Sequence, residues 1–286
     1  MNPLRTIRVP LIGGRLAYLP RIEDAAITAQ QMFATRLYML HRDKHGHVIN
    51  DKRSEFVPGL GYDMGSGAVT NVGAYAMAFD GQWSASLNLA TLALANQHAW
   101  GTGVTAAAAT DIAMQTLAAP TTTAAVAGTA SVIGTAAVPK YQTVATITAG
   151  GALAITEWGI HSSGVLTAST GTPFTGTSAT TGTVTATPLT ASSATVRGQQ
   201  QTIVKAGTTT VWGLVLSNST SVLTLASVAA AGWWTVAAST AGATPGATEA
   251  FTLLPVLWDH KVFAAINVAN ADSIQTTYQL TVTSGG

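Results

Sequence analysis

Ser273-Ile274-Gln275-Thr276-Thr277-Tyr278-Gln279-Leu280-Thr281-Val282 is the stretch that decides the fold. Ile274, Thr276, Tyr278, Leu280 and Val282 alternate with Gln275, Thr277, Gln279 and Thr281. Side chains on a strand point alternately to its two faces, so a period of two describes a strand with one face buried and one wet. Working outward, further short apolar runs sit between Gly, Thr and Ser turns. They cover 74–79, 84–93, 142–147, 153–158, 202–205, 210–216, 221–225, 233–237, 251–257 and 262–268. Strand-length runs with frequent turn signals predict an antiparallel sandwich or barrel. The Thr/Ala/Gly stretches 119–138 and 167–195 add shallow strands such as Thr181 to Thr187. One helix is expected to interrupt the pattern, from Ala106 to Leu117, with Thr110-Asp111 near its start and Pro120 beyond its end.

The N-terminal part reads differently. Residues 1–63 hold 15 of the 25 charged residues, and Gly-rich sequence follows at Asp63-Met64-Gly65-Ser66-Gly67. The expectation is an attachment segment over 1–63, made of an extended arm from Ile7 to Leu19, a short helix from Ile22 to Phe33, and a hairpin. In the hairpin, residues 36–40 and 47–49 flank the turn Asp43-Lys44-His45-Gly46, with a positive φ at the glycine. The alternative reading continues the helix to Leu40.

Hydrophobic residues are 47% of the 286, enough for a sizeable core, whereas charged residues are 9%, against roughly 25% in an ordinary soluble domain. Low charge joined to high hydrophobicity is not the pattern of disorder. It suits faces buried against other subunits. A net charge of +1 gives nucleic acid no basic patch to bind. The absence of cysteine removes disulfides and thiolate-held metals. No apolar run is long enough for a membrane helix, and Met1-Asn2-Pro3-Leu4-Arg5 does not start like a secretion signal.

Candidate chemistry is sparse, and no cofactor or metal is expected. His41, His45 and His47 form the one metal-like cluster, but a hairpin there need not bring the three rings together. Glu157 and Asp259-His260 are polar groups inside apolar runs. Two carboxylates could serve as a glycosidase pair. The plainer reading gives Glu157 to backbone groups or to an ion pair with Lys261, with Trp158 filling core. Asp111, Glu249 and Asp272 read as caps or turn acceptors. Trp233 and Trp234 could stack on sugars or anchor an interface. Neither a Gly-x-Ser-x-Gly elbow nor a phosphate-binding glycine loop is present.

Two segments carry a resemblance. Ala154-Ile155-Thr156-Glu157-Trp158-Gly159-Ile160 resembles the I-T-E-W/A-G-L-F strand of many tailed-phage structural proteins. Leu257-Trp258-Asp259-His260-Lys261-Val262-Phe263 through Gly286 is similar to phage sequences in which W-D-R-x-V-F leads to a closing strand of the D-S-I-Q-x-T-Y-x-L-T-V type. His260 stands where Arg is common, and Ala271-Asp272 replaces Gly-Asp. In shorter proteins of this kind the two segments lie close together. The resemblance therefore implies a β-sandwich or jelly-roll-like core of 64–161 plus 254–286, carrying an inserted β subdomain over 162–253. It implies no catalysis. The expected function is a structural part of a tailed-phage virion, as head decoration, collar or tail appendage. Its partners would be copies of itself, a trimer ahead of other states, and other virion proteins reached through 1–63. The alternative is an adhesin or tail fibre that binds host-surface glycans through Trp233 and Trp234.

Overall fold

A computed structural model of the chain describes residues 8–10, 16–18, 33–49, 54–74, 76, 95–118, 125–135, 138–162, 169–176, 181–184, 201–205, 212–218, 222–225 and 249–282. They are mainly strand, and two antiparallel sheets face each other as a β-sandwich.

The first sheet runs, edge to edge, β4 (Phe56–Val57), β5 (Gly61–Gly65), β3 (Phe33–Arg42), β19 (Ser273–Val282), β10 (Val138–Thr148) and β9 (Thr129–Thr135). The second runs β6 (Ala68–Val69), β18 (Leu257–Val268), β11 (Leu153–His161), β7 (Gln97–Gly101) and β8 (Val126–Ala127). Between β11 and β18 the chain forms a closed barrel of β12 (Ser169–Gly176), β13 (Thr181–Val184), β16 (Val222–Leu225), β15 (Trp212–Asn218), β14 (Gln201–Lys205) and β17 (Glu249–Pro255), in that order around it. Closure leaves this barrel no free sheet edge.

The alternation in β19 positions the core. Ile274, Thr276, Tyr278 and Leu280 point between the sheets, where their neighbours across the ladders are Leu37 and Met39 of β3 and Tyr141 and Ile147 of β10. Each fully buried side chain of this size contributes about 1.5–3 kcal/mol. From the second sheet Trp158, Ile160 and Trp100 close the layer. Trp158 has no exposure, and its ring lies 5.5 Å from Tyr278 and 5.6 Å from the imidazole of His98.

Several sequence expectations change. Residues 33–63, assigned above to an attachment segment, contribute β3, β4 and the first part of β5 to the first sheet, and β3 pairs with β19 over ten residues. The charge step at residue 63 falls inside β5, where Asp63 binds Arg36 of β3, and not at a domain border. The extended arm is folded back, with β1 (Arg8–Pro10) paired to β2 (Leu16–Tyr18). Of the helix expected over 22–33, residues 22–32 lie outside the described residues, and Phe33 opens β3. The turn at 43–46 forms as read, with Gly46 at φ 86°, but its return arm makes only the single bridge Arg42↔Val48. The sheet neighbours of β3 are β19, over ten residues, and β5, at Leu37, Tyr38 and Met39.

Of the strand expected over 74–79, Ala74 and Ala76 are helical and the other residues lie outside the described residues. Residues 71–74 form a helical turn. Thr70 caps it, accepting from Gly73 N–H while its own hydroxyl donates to the Leu257 carbonyl. The expected helix over 106–117 is absent. That segment belongs to a loop over 102–117, closed by a bridge between Gly101 and Leu117. The expected strands over 84–93 and 233–237 lie outside the described residues.

Candidate functional site

The 102–117 loop lies over the outer face of the second sheet, and the polar residues of the two resemblance segments meet beneath it. A strand sends neighbouring side chains to opposite faces, so Trp158 enters the core while Glu157 points outward. Across the ladder Gly159 pairs with His260, which therefore shares that outward face. Glu157 faces Gly101 on the other side, where a Cβ would collide with its carboxylate.

The Glu157 carboxylate is fully buried and accepts four hydrogen bonds. Gly103 N–H lies at 3.0 Å, Gln115 N–H at 2.6 Å, Thr116 N–H at 3.2 Å, and His260 Nε2 at 2.7 Å. His260 Nδ1 in turn lies 2.7 Å from Asp111 Oδ2, which also accepts from Ala108 N–H at 2.8 Å. Both ring nitrogens thus donate to carboxylates, which requires the imidazolium. One carboxylate takes N–H groups from both ends of the loop, and the imidazolium ties in its middle. Gln115 adds a clamp, its amide bonding Thr105 N–H at 2.9 Å and the Thr105 carbonyl at 2.5 Å.

The electrostatics agree with the geometry. Burial by itself would raise the Glu157 pKa, but the His260 hydrogen bond and the Gln115 and Thr116 N–H groups outweigh it and hold the carboxyl below its ordinary range. Burial would likewise lower His260, but Glu157 and Asp111 outweigh it and raise the imidazole. The same hydrogen bonds compete with the expected helix. The N–H groups of Gln115 and Thr116 go to a carboxylate instead of to carbonyls four residues earlier.

Chemically this arrangement holds a proton and a loop. The His260 ring has no exposure and no free nitrogen to offer a substrate. The paired-carboxylate reading fails on direction. Asp259 pairs with Ile160 and shares its inward face, where the Thr35 and Tyr278 hydroxyls stand beside it, opposite to Glu157. The expected Glu157–Lys261 pair fails for the same reason. Lys261 is one residue past His260, faces the other way, and donates to the Ser66 carbonyl at 2.5 Å.

The histidine cluster disperses. His41 is buried against Asp272, Nε2 to Oδ2 3.2 Å, while His45 and His47 sit in an exposed turn. Asp43 organises that turn by accepting both of their backbone N–H groups at 2.8 Å. Among the described residues, no group of three or more His, Cys, Asp or Glu side chains is placed to hold a metal ion. Asp111 and Asp272 accept backbone N–H groups as expected of turn acceptors, and Glu249 opens β17. Trp233 and Trp234 lie outside the described residues.

Beside the loop is a cleft of about 40 Å³, lined by Ile112, Met114, Leu117, His161, Leu254 and Pro255. Burial first, then the charge on His260, lower the His161 pKa to about 3, so its ring is neutral. Comparison with protein-family models, with curated proteins and with solved structures finds no match for this chain.

Proposed function

We propose that this chain is a non-enzymatic structural component of a tailed-phage particle, assembled with copies of itself on the particle exterior. The observation that carries the reading is the pairing of the two resemblance segments. They become β11 and β18, joined from Leu153↔Val268 to His161↔Leu257, with the Glu157–His260 contact between them. Residues that resemble phage sequence therefore build one structural unit and are consumed by it. The low charge of the body suits close contact between subunits, because few ions need desolvating. With β3 to β5 inside the sandwich, docking onto other virion proteins falls to the segment before residue 33.

The test is mass spectrometry of purified particles of the phage that encodes the chain, with immunogold labelling against residues 162–253. Label over the head makes it a decoration protein, and label at the neck or tail makes it a collar or appendage. Particles that lack its peptides while the infected cell contains them would remove the reading.

A further inference from the structure

We propose that β9 is the contact through which two copies of this chain pair, antiparallel strand against antiparallel strand about a two-fold axis. The proposal rests on the homo-oligomeric part of the reading above and names its surface.

β9 is an edge. It pairs with β10 on one side, and in the first sheet no described strand lies on the other. A free edge presents a row of backbone N–H and C=O groups ready to bind another strand. Proteins guard such edges with charge, proline or brevity, and Thr129-Ala130-Ser131-Val132-Ile133-Gly134-Thr135 uses neither charge nor proline. Nor is it short, at seven residues. Six of the seven are exposed, and Val132 keeps 63% of its surface in solvent. Val138, across the turn on β10, is 41% exposed.

The other edges identify the occupant. Among the described sandwich strands, the remaining edges are β4, β6 and β8, each two residues long. Two-residue edges, and the three-residue edges β1 and β2 of the separate two-stranded sheet, are too short to supply a ladder along β9, so within a set of identical chains the matching partner of β9 is β9. That makes the contact isologous. A two-fold antiparallel pair sets one residue opposite its own copy, so any charge near the axis would face itself. No residue of β9 carries a charge. Gly134, at φ 91°, departs from extended backbone, so the pairing stretch is Thr129 to Ile133. Such a contact makes a dimer by itself, or joins two trimers into a dihedral hexamer.

The chain has no native cysteine, so single substitutions report cleanly. In the full-length protein, Ala130→Cys, Ser131→Cys and Val132→Cys are oxidised separately. The residue nearest the axis is expected to give a disulfide-linked pair, because directly opposed Cβ atoms come within bonding reach. The other two give less. Val132→Lys, checked for an unchanged melting transition, is expected to weaken self-association at least tenfold by sedimentation, and Val132→Thr to leave it intact. A wild-type chain that stays monomeric overturns the proposal. So does an oligomer that forms no disulfide at any of the three positions and keeps its mass with Val132→Lys. Either failure leaves the virion reading to be decided by the particle peptides alone.

Discussion

His260 Nε2 and Glu157 Oε1 lie 2.7 Å apart, and neither side chain has any exposure. The same carboxylate binds Gly103 at the start of the 102–117 loop and Gln115 and Thr116 near its end. The contact therefore works as a latch that fixes a loop to a sheet. Removing one partner of a buried charge pair costs more than the pair contributes, because the other charge stays behind unpaired. Glu157→Gln leaves His260 short of one anion and turns an amide N–H₂ toward backbone donors. The expected loss is about 2–4 kcal/mol of stability, read as a lower urea midpoint. Limited proteolysis should cut first between residues 102 and 118. A midpoint equal to wild type, with the loop still resistant, would show that the latch holds nothing.

The latch should also have a pH window. Glu157 titrates below its ordinary 4.5 in the fold, so its contribution is present above that value and is lost as pH falls through the lowered one. His260 titrates above its ordinary 6.5, so its contribution is complete below that value and is lost as pH rises through the raised one. Both are present together between 4.5 and 6.5. The stability difference between wild type and Glu157→Gln is therefore expected to be largest near the middle of that window and smaller in mild alkali. Urea titrations of both proteins across the range read this directly, and a difference that does not vary with pH refutes it.

Asp259 behaves in the opposite sense to Glu157. Burial raises its pKa to about 7, only partly offset by the Thr35 and Tyr278 hydroxyls, and neither oxygen gains a hydrogen bond of ordinary geometry. A carboxyl raised above its unfolded 3.8 costs stability as pH climbs from 3.8 to about 7. Asp259→Asn keeps the shape and cannot ionise. It is expected to raise the melting temperature at pH values above the folded pKa and to leave it nearly unchanged below the unfolded one. A variant that melts lower than wild type in mild alkali would mean that the ionised carboxylate has a partner.

The strands were legible because their signal is local. β19 and β11 each show it in their own residues, and β19 ends where the alternation ends. The loop was not legible, because the agent that overrides its alanine-rich helical preference lies 41 to 54 residues away in Glu157. The latch was missed by one residue. Lys261 is the better cation by type, but a step of one along a strand reverses the face, and His260 is the residue that Glu157 meets. A signal was present, since the resemblance places Arg, a cation, at position 260. β3 was assigned to a separate segment because a charge step describes which surfaces are wet and says nothing of which strands pair.

The turn between β18 and β19 gives the last prediction. Ala271 there has φ 67°, the one described non-glycine residue in the left-handed region. The surrounding bonds over-determine it. Ala271 N–H donates to the Ala149 carbonyl at 2.9 Å, and Ala149 N–H donates to the Asp272 carbonyl at 2.8 Å. Asp272 Oδ2 accepts from Ala269 N–H at 2.8 Å and faces His41. An L-residue with a Cβ is disfavoured in this conformation by about 1–2 kcal/mol, and glycine is not. Against that, glycine gives the unfolded chain more freedom, which returns about 0.5–1 kcal/mol. Ala271→Gly is therefore expected to stabilise the protein by about 0.5–1 kcal/mol, seen as a higher urea midpoint with an unchanged slope. Gly46→Ala, at φ 86° in the exposed 43–46 turn, is the matched reverse and should destabilise by a similar amount. If Ala271→Gly lowers the midpoint while Gly46→Ala behaves as expected, the Ala271 methyl contributes packing that outweighs its backbone cost.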